Sequence, residues 1–567
     1  MLKIIKSEMR QNSDQIPLST SLNILPAQKI KKQTLVNKRV LYLSLQAIFN
    51  AVFIGFVARV LVYLIDFITN FAFYGKFSIE PANPAHNVLG LTVILVPIIG
   101  SIIVGFIARY GSKAIRGHGI PEAMEKIILD DSKIPPIITF LKPLSAAISI
   151  GTGGPFGAEG PIIATGGAFG SFTGQIMHIS AAERKIILSA GACAGMAAIF
   201  GSPLAAVLLA IELLLFEFSP KSIIPVALAC VTGAAMHILL FGCSPVFSMP
   251  AIPVASGGSL IIYAAMGLVI GVIASLISKS VYAVEDAFEK LPIHWMWWPA
   301  IGAIAVGVVG YFAPFTMGVG YENIQHLLSG KLPLALLISL CFLKYLSWVI
   351  SLGSGTSGGT LAPLFTIGGA LGALLGVALL NMFPSLQINL ATAALIGMAA
   401  MFAGASRALL TSIVFALETT GQSNGLLPLL AACAAAYFVS FFMMKGSIMT
   451  EKIQRRGVST PDEYEADILK HARAKDLITA VTDNDYDGLP FVYASDDLSF
   501  CVEVMGRYET DAVAVVENKT EQKVIGILTS AAIVKHYSRQ KELQHSYNSP
   551  KHVKRLLVRG RKIMNKA

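Results

Sequence analysis

The sequence predicts an all-α polytopic membrane protein that carries a small α/β region at its carboxyl end. Apolar residues make up 54% of the chain and charged residues 14%, whereas soluble proteins average about 25% charged residues. Residues 40–449 hold only 17 basic and 15 acidic side chains. So few charges cannot cover a soluble surface, but a surface that faces lipid needs no more.

Both ends of the chain are polar and basic. Residues 1–39 contain eight Lys and Arg against two Asp and Glu, so the positive-inside rule places the tail, residues 1–36, in the cytoplasm. The opening residues have neither an apolar core of signal-peptide length nor a cleavage site, so we do not expect their removal. We expect this tail and the basic tail 546–567 to contact membrane lipid rather than nucleic acid.

The apolar segments between residues 40 and 447 differ in length. A helix needs about 20 residues to span a bilayer, and examples of segments long enough are 89–108, 261–277 and 332–352. Shorter segments broken by Gly and Pro are 151–174, 195–215, 353–376 and 397–417. Such segments predict half-helices and re-entrant backbone, which membranes tolerate only where protein buries it or where it lines a cavity.

The interrupted segments contain an internal repeat with an offset of 202 residues. The pattern P-x4-G-G-A-x-G-x3-G begins at Pro161 and again at Pro363. The tetrapeptide Gly-Met-Ala-Ala begins at Gly195 and again at Gly397. Small-residue patterns are common in membrane helices, but two patterns that share one offset indicate duplicated halves. Duplicated halves with interrupted helices are typical of a transport site at the interface between them.

The carboxyl-terminal region has a different character. Strand-like alternation occurs in LPFVYA, DAVAVVE and KVIGILT, and a helix-like segment SAAIVKHYSRQ follows. This pattern predicts a small soluble α/β unit over residues 458–545.

Three glycine-rich junctions have the chemistry of an anion site. They are G-H-G-I-P-E at 117–122, G-A-E-G-P at 157–161 and G-G-T-L-A-P at 358–363. Glycine lets the backbone turn its N–H groups toward a ligand, and proline suits the first turn of a helix. A helix amino terminus carries about half a positive charge, so three that converge can bind an anion without a full cation. The structural alternative is that these glycines serve helix packing alone.

Over residues 40–457 the chain resembles the CLC chloride channels and chloride/proton antiporters. The stretches that carry the resemblance are GHGIPEAM, GTGGPFGAEGP, GSPLAAVLLAIEL, SGGTLAPLF and SIMTEKIQRRG. The resemblance implies an inverted-repeat fold of tilted and half-spanning helices over 37–457. It also implies a homodimer with one anion pathway in each subunit and chloride as the default anion. Residues 466–538 look like a cystathionine-β-synthase (CBS) region, a cytoplasmic appendage of this family, and the compact tail suggests a bacterial plasma membrane.

The resemblance also assigns roles to single residues. Glu159 matches the gating glutamate, whose carboxylate occupies an anion site until protonation ends the competition. Lys142 matches a lysine that lies behind the pathway. This lysine either adds a positive electric field at the pathway or pairs with groups inside the protein. The expected anion-binding positions are His118, Gly119, Ile120, Ala158, Gly160, Thr360, Leu361 and Met449.

Three of these positions depart from the family pattern. Ala158 stands where many relatives carry Arg, which weakens the local positive potential. His118 stands where relatives carry Ser, or Pro in nitrate-preferring relatives. The residue therefore leaves open whether the preferred anion is chloride, nitrate or fluoride. An imidazole N–H can donate to an anion, and a protonated ring would bind it harder and add pH dependence, unless the ring points away from the pathway. Met449 replaces a tyrosine at the inner end of the site, and a thioether donates no hydrogen bond.

Two further departures concern protons and nucleotides. Glu212 aligns with the first of a pair of glutamates, and Leu213 replaces the second, which is the internal proton-transfer position. In the CBS-like region only 488–538 forms a complete motif, and Ala532 replaces an acidic residue expected three positions after Thr529. We therefore expect this region to serve dimer contact or folding rather than nucleotide binding.

Because leucine carries no proton, the sequence favours passive, proton-sensitive chloride conduction. A coupled chloride/proton antiporter is the alternative, since some coupled relatives also lack the second glutamate and could pass protons along water. A membrane-embedded sensor that signals through the CBS-like region is an alternative of another class. The sequence has no nucleophile–base constellation or metal-ligand spacing, and its six cysteines are scattered. We therefore expect no enzymatic activity, cofactor or metal.

Overall fold

The computed structural model describes residues 34–383, 388–455, 457, 469, 472–479, 488–517 and 524–547. The chain divides into two units, Met1–Asp462 and Glu463–Ala567. The predicted tails 1–36 and 546–567 lie outside the described residues except at 34–36 and 546–547. Most of the truncated CBS-like motif before residue 488 also lies outside them.

The first half of the membrane unit is built from helices of very different length. These are α1 Thr34–Tyr74, α2 Leu95–Tyr110, α3 Ile120–Leu129, α4 Ile138–Gly151, α5 Glu159–Ile176, α6 Ala181–Phe200, α7 Pro203–Leu209 and α8 Pro220–Phe241. A π-helical segment, Ala210–Leu215, continues α7.

The second half of the membrane unit repeats this mixture. Its helices are α9 Gly257–Glu289, α10 Trp298–Phe312, α11 Tyr321–Leu328, α12 Leu334–Ile338, α13 Lys344–Gly353, α14 Leu361–Met382, α15 Leu390–Ser406, α16 Leu409–Thr420, α17 Leu426–Met443 and α18 Glu451–Gln454. A π-helical segment, Ser339–Leu343, joins α12 to α13. Short 3-10 turns lie at Pro84–His86, Gly90–Ile94, Lys113–Ile115, Trp295–Trp297, Pro314–Thr316 and Ser423–Gly425.

Within the described residues, eight helical runs are long and apolar enough to cross a membrane. The predicted spans 89–108, 261–277 and 332–352 correspond to three of them. Segment 353–376 differs from its prediction, because its glycines form a loop and the 22-residue helix α14 begins only at Leu361. The predicted polytopic, all-α membrane fold is confirmed.

The repeat is visible as two matching pairs of packed helices, α5 on α6 and α14 on α15. A Cβ on Gly166 of α5 would overlap the carbonyl of Gly191 in α6. A Cβ on Gly368 of α14 would meet the carbonyl of Gly397 in α15 in the same way. Because the glycines remove this obstacle, the backbones approach closely, which is how membrane helices gain packing energy where lipid is as apolar as protein.

The second unit contains a three-stranded sheet. β1 Phe491–Tyr493 pairs in parallel with β2 Ala512–Val516, and β2 pairs antiparallel with β3 Val524–Thr529. Helix α19 Leu498–Tyr508 connects β1 to β2, and α20 Ser530–Tyr547 follows β3. The predicted α/β character is confirmed, and the CBS-like assignment stays a prediction.

Candidate functional site

The three predicted glycine-rich loops lie side by side in the membrane unit. The N–H of Gly117 donates to the carbonyl of Thr356 at 3.0 Å, which joins the first loop to the third. The N–H of Gly359 donates to the carbonyl of Gly157 at 3.1 Å, which joins the third loop to the second. The amino termini of α3, α5 and α14 are therefore brought to one region, as an anion site of this kind requires.

Glycine is required at the points where the loops touch. Gly119 has φ = 100°, a conformation that other residues rarely adopt. A Cβ on Gly119 would overlap the carbonyl of Gly160, and a Cβ on Gly160 would lie 2.8 Å from the Cα of Gly359. Glycine thus both shapes the loops and lets them converge.

Glu159 lies at this convergence and is fully buried. Its Oε1 accepts the backbone N–H of Ala362, in the first turn of α14, at 2.6 Å. Its Oε2 accepts the hydroxyl of Tyr321, the first residue of α11, at 3.1 Å. A carboxylate therefore already occupies N–H donors at the positive end of a helix, where a free anion would also bind.

An aromatic cluster surrounds the Tyr321 ring. Phe200 and Phe247 have ring centroids 5.8 and 5.9 Å from that of Tyr321. Phe415 lies 4.9 Å from Phe200, and Phe365 of α14 stacks on Phe415 at 4.8 Å. These apolar rings pack around the residue that donates to Glu159, and low polarity there strengthens this hydrogen bond.

Two of the predicted anion-binding residues present unpaired polar atoms. Nδ1 of His118 and Oγ1 of Thr360 are buried and have no hydrogen-bond partner in the described part of the chain. His118 is 5% exposed and Thr360 1%. Because buried polar groups normally have a partner, these two atoms fit a small ligand that accepts hydrogen bonds at the loops.

The other predicted loop residues supply backbone rather than polar side chains. Ile120 and Leu361 are the first residues of α3 and α14, and Ala158 directly precedes α5. All three are buried. They bring N–H groups to the junctions without adding charge.

The buried Lys142 pairs with the first loop from behind. Its Nζ donates to the carbonyls of Ile115 and Gly117, each at 2.8 Å. These hydrogen bonds orient the loop that carries His118. The structure thus shows the internal pairing of Lys142, and a contribution of its charge to the field at the pathway stays a prediction.

A second buried lysine, Lys344, was not among the residues predicted from the sequence. Its Nζ donates to the carbonyl of Thr316 at 3.2 Å. The repeat offset would have found it, because L-K-x-L-S-x-x-I-S begins at Leu141 and again at Leu343, again 202 residues apart.

Tyr321 was also missed. It follows Gly318 and Gly320, which have φ values of 66° and 76° and reproduce the Gly117-x-Gly119 pattern 201 residues later. The G-x-G pattern before a short helix was the available signal, but nothing local connects Tyr321 to Glu159, 162 positions away.

Met449 is fully buried at the other predicted end of the site. The neighbouring carbonyl of Ile448 accepts the hydroxyl of Tyr282 at 2.6 Å. Two residues beyond Met449, Nζ of Lys452 in α18 lies 3.5 Å from Oε1 of Glu122 in α3. The Met449 segment is thus anchored beside the helix that begins at the first anion loop.

Glu212 and Glu418 cap helices of opposite halves. The Glu212 carboxylate accepts the N–H groups of Leu410 and Thr411, both at 2.9 Å, at the start of α16. The Glu418 carboxylate accepts the N–H of Ala205 at 2.8 Å, at the start of α7. The structure therefore shows Glu212 as a helix cap, while the adjacent Leu213 is buried in the apolar core.

Comparison with known proteins decides the family. The profile described as voltage gated chloride channel matches residues 99–441, which is more than half of the chain. The chain belongs to this family. Its predicted family and CLC-type fold are thus confirmed, and it is an integral membrane protein of anion transport.

The relatives include a protein named as a chloride channel and proteins named as exchange transporters. The chain is 25% identical over 366 residues to a protein named as ClcB-like chloride channel from Ralstonia nicotianae, covering 64% of this chain and 85% of that one. It is 27% identical over 402 residues to the H(+)/Cl(-) exchange transporter ClcA of Yersinia pseudotuberculosis, covering 68% and 82%. A solved slow cyanobacterial Cl−/H+ antiporter shares the fold, with a TM-score of 0.66, 24% identity and coverage of 73% and 97%. The preference for passive conduction, drawn from Leu213, receives no support here.

Proposed function

We propose that this protein exchanges chloride for protons across a membrane and that Glu159 couples the two. The contact between the Glu159 carboxylate and the Ala362 N–H carries the proposal, because it places a proton-binding group on an anion's donors. The exchange transporter ClcA, the relative of Yersinia pseudotuberculosis, supports the choice of exchange over passive conduction.

The exchange step follows from a competition for the same N–H groups. An ionised Glu159 accepts the hydrogen bond of Ala362 and excludes a second negative charge from the amino terminus of α14. Protonation removes the charge, so the acid binds those donors less strongly and can leave them. A chloride ion then takes the place of the carboxylate, and its departure allows Glu159 to return and release its proton.

Polar side chains at the loops would complete the chloride site. The Thr360 hydroxyl is a donor, and the His118 ring is one when its Nδ1 carries hydrogen. Each lies beside backbone N–H groups of a helix amino terminus, where partial rather than full positive charge acts on the ion. Weak, divided attraction suits transport, because the ion must leave as readily as it enters.

Passive conduction is the second candidate, and Leu213 is the observation that favours it. This buried side chain stands at the position that the family resemblance assigns to internal proton transfer, and it has no titratable group. Exchange in this chain therefore needs a proton route that does not pass through a carboxylate at 213.

Several wider features belong to the same proposal. We propose a homodimer with one pathway in each subunit, in contact with membrane lipid, with both termini in the cytoplasm of a bacterial cell. The eight basic residues among the first 39 support the orientation of the amino terminus. We further propose that the protein is not an enzyme and works without a cofactor or metal.

The direct test uses purified protein in liposomes with an imposed chloride gradient. External chloride and pH are recorded together while an ionophore fixes the membrane potential. Exchange predicts that protons move uphill in a fixed ratio to chloride. Chloride flux without proton movement would establish passive conduction instead.

A further inference from the structure

A cavity of about 170 Å³ lies next to Tyr321 in the membrane unit. Its lining includes Asp66 and Thr69 of α1, Asn83, and Tyr321 and Glu322 of α11. Asp66 and Thr69 lie near the carboxyl end of α1, whose other end follows the predicted cytoplasmic tail. The cavity therefore belongs to the membrane face opposite the predicted side of the termini.

Tyr321 links this cavity to the buried Glu159. It lines the cavity, and its hydroxyl donates to Oε2 of Glu159 at 3.1 Å. Glu159 itself has no exposed surface. Tyr321 thus belongs to the cavity wall and also contacts the carboxylate that, in the proposed exchange, gains and loses a proton.

The charges of the cavity wall suit protons and oppose anions. Two carboxylates, Asp66 and Glu322, line it, and none of the described lining residues is Lys, Arg or His. Asn83 donates to Oε2 of Glu322 at 2.5 Å, which fixes that carboxylate at the wall. Like charges repel a chloride ion from such a wall, whereas hydronium is attracted to it.

Two basic side chains near the cavity, Arg59 and Lys344, are not among its described lining residues, although Arg59 acts electrostatically on Asp66. The guanidinium of Arg59 stacks over the rings of Tyr63 and Phe241, with distances of 4.4 and 4.7 Å to the ring centroids. Lys344 lies behind the Tyr321 loop, where a Cβ on Gly320 would be 2.9 Å from its Nζ. Its ammonium donates to the Thr316 carbonyl and so is directed to backbone. The described lining of the cavity therefore contains acidic but no basic side chains.

We propose that this cavity is a proton port that serves Glu159 through the Tyr321 hydroxyl, apart from the route of the anion. The proposal rests on the proposed role of Glu159 in exchange. As hydronium in the cavity transfers a proton to the phenolic oxygen, the phenol O–H bond breaks and its proton passes to Oε2 of Glu159. One proton is moved, water is left in the cavity, and the reverse sequence releases the proton.

The test measures proton and chloride fluxes of variants in liposomes under a chloride gradient. Tyr321→Phe keeps the ring that packs on Phe200 and Phe247 but removes the hydroxyl. The double variant Asp66→Asn/Glu322→Gln removes both cavity charges. The control Glu80→Gln removes an exposed carboxylate that does not line the cavity.

For Tyr321→Phe we expect proton flux about 100-fold lower, the lower end of the range for loss of a proton-transfer group. The double variant is also expected to lower the proton flux. Chloride flux should persist in both variants, so the ratio of transported protons to chloride ions falls. Glu80→Gln should show the same proton and chloride fluxes as the unmutated protein. A purely structural defect would lower both fluxes together. Unchanged proton flux and ratio in both variants would overturn the port.

Glu159→Gln, measured beside them, separates this outcome from failure of the proposed function. If it abolishes proton flux while the port variants match the unmutated protein, the port fails and the exchange stands. If the unmutated protein moves no protons, exchange fails, and the readout becomes the speed with which chloride flux follows a pH step on the cavity side. Tyr321→Phe should slow that response, and equal speed would overturn the port.

Discussion

The carboxylate of Glu159 accepts the backbone N–H of Ala362 at 2.6 Å, although the two residues lie 203 positions apart. Glu159 begins α5 and Ala362 lies in the first turn of α14, the corresponding helices of the two repeats. The site is therefore complete only when both halves are folded together. In the proposed function, the Glu159 carboxylate and an anion compete for this set of N–H donors.

Replacement of Met449 should leave chloride binding nearly unchanged, because a thioether offers the anion no hydrogen. Met449→Leu conserves volume in the buried position, whereas Met449→Ala leaves a cavity. We expect chloride affinity, measured by calorimetry in detergent, to change by less than about twofold in Met449→Leu and flux to persist in Met449→Ala. Loss of binding in a folded Met449→Leu protein would show that this side chain helps form the site.

His118→Ser should keep transport, since a hydroxyl can replace the imidazole as hydrogen-bond donor. His118→Phe should weaken chloride binding by about 10- to 150-fold, because a hydrogen bond to a charged partner contributes about 1.5–3 kcal/mol. Calorimetric titration of both variants with chloride makes the comparison. Equal affinity in the two would mean that the unpaired Nδ1 does not face the anion.

The reciprocal caps should behave as a matched pair. Glu212→Ala and Glu418→Ala each remove the acceptor for a helix amino terminus in the opposite half. Each should lower the free energy of unfolding by about 1–2 kcal/mol, as for loss of an N-cap, when measured by chemical denaturation in detergent. Full stability of Glu212→Ala together with lost proton transport would place Glu212 on the proton path instead.

Cys501 should resist alkylation while the second unit is folded. Burial raises the pKa of its thiol to about 12, so at pH 8 only about one thiol in ten thousand is a thiolate, the reactive form. Cys243 is exposed and provides the internal comparison. After treatment with iodoacetamide under non-denaturing conditions, mass spectrometry should find Cys243 modified and Cys501 unmodified. Equal modification of both would contradict the described core of this unit.

The sequence allowed the fold and the glycine-rich junctions to be predicted because both leave local patterns. Glycines before Pro121 and Pro161 mark two of the junctions, and the repeat at offset 202 marks the duplicated halves. The partner of a side chain in the other half leaves no such pattern. Tyr321 and Glu159 meet only through tertiary packing, and so do Glu212 and Thr411. These contacts, and the cap role of Glu212, therefore required the structure.

The most direct test of the central claim is the pH profile of chloride flux in Glu159→Gln liposomes. An ionised Glu159 competes with the anion, so flux in the unmutated protein should rise as pH falls and the carboxylate is protonated. The amide keeps the shape without the charge, so the variant should show higher chloride flux at pH 7.5, little further rise on acidification and no uphill proton movement. A Glu159→Gln protein with the flux, pH dependence and proton movement of the unmutated protein would contradict the assignment of Glu159 as the competing, proton-binding group.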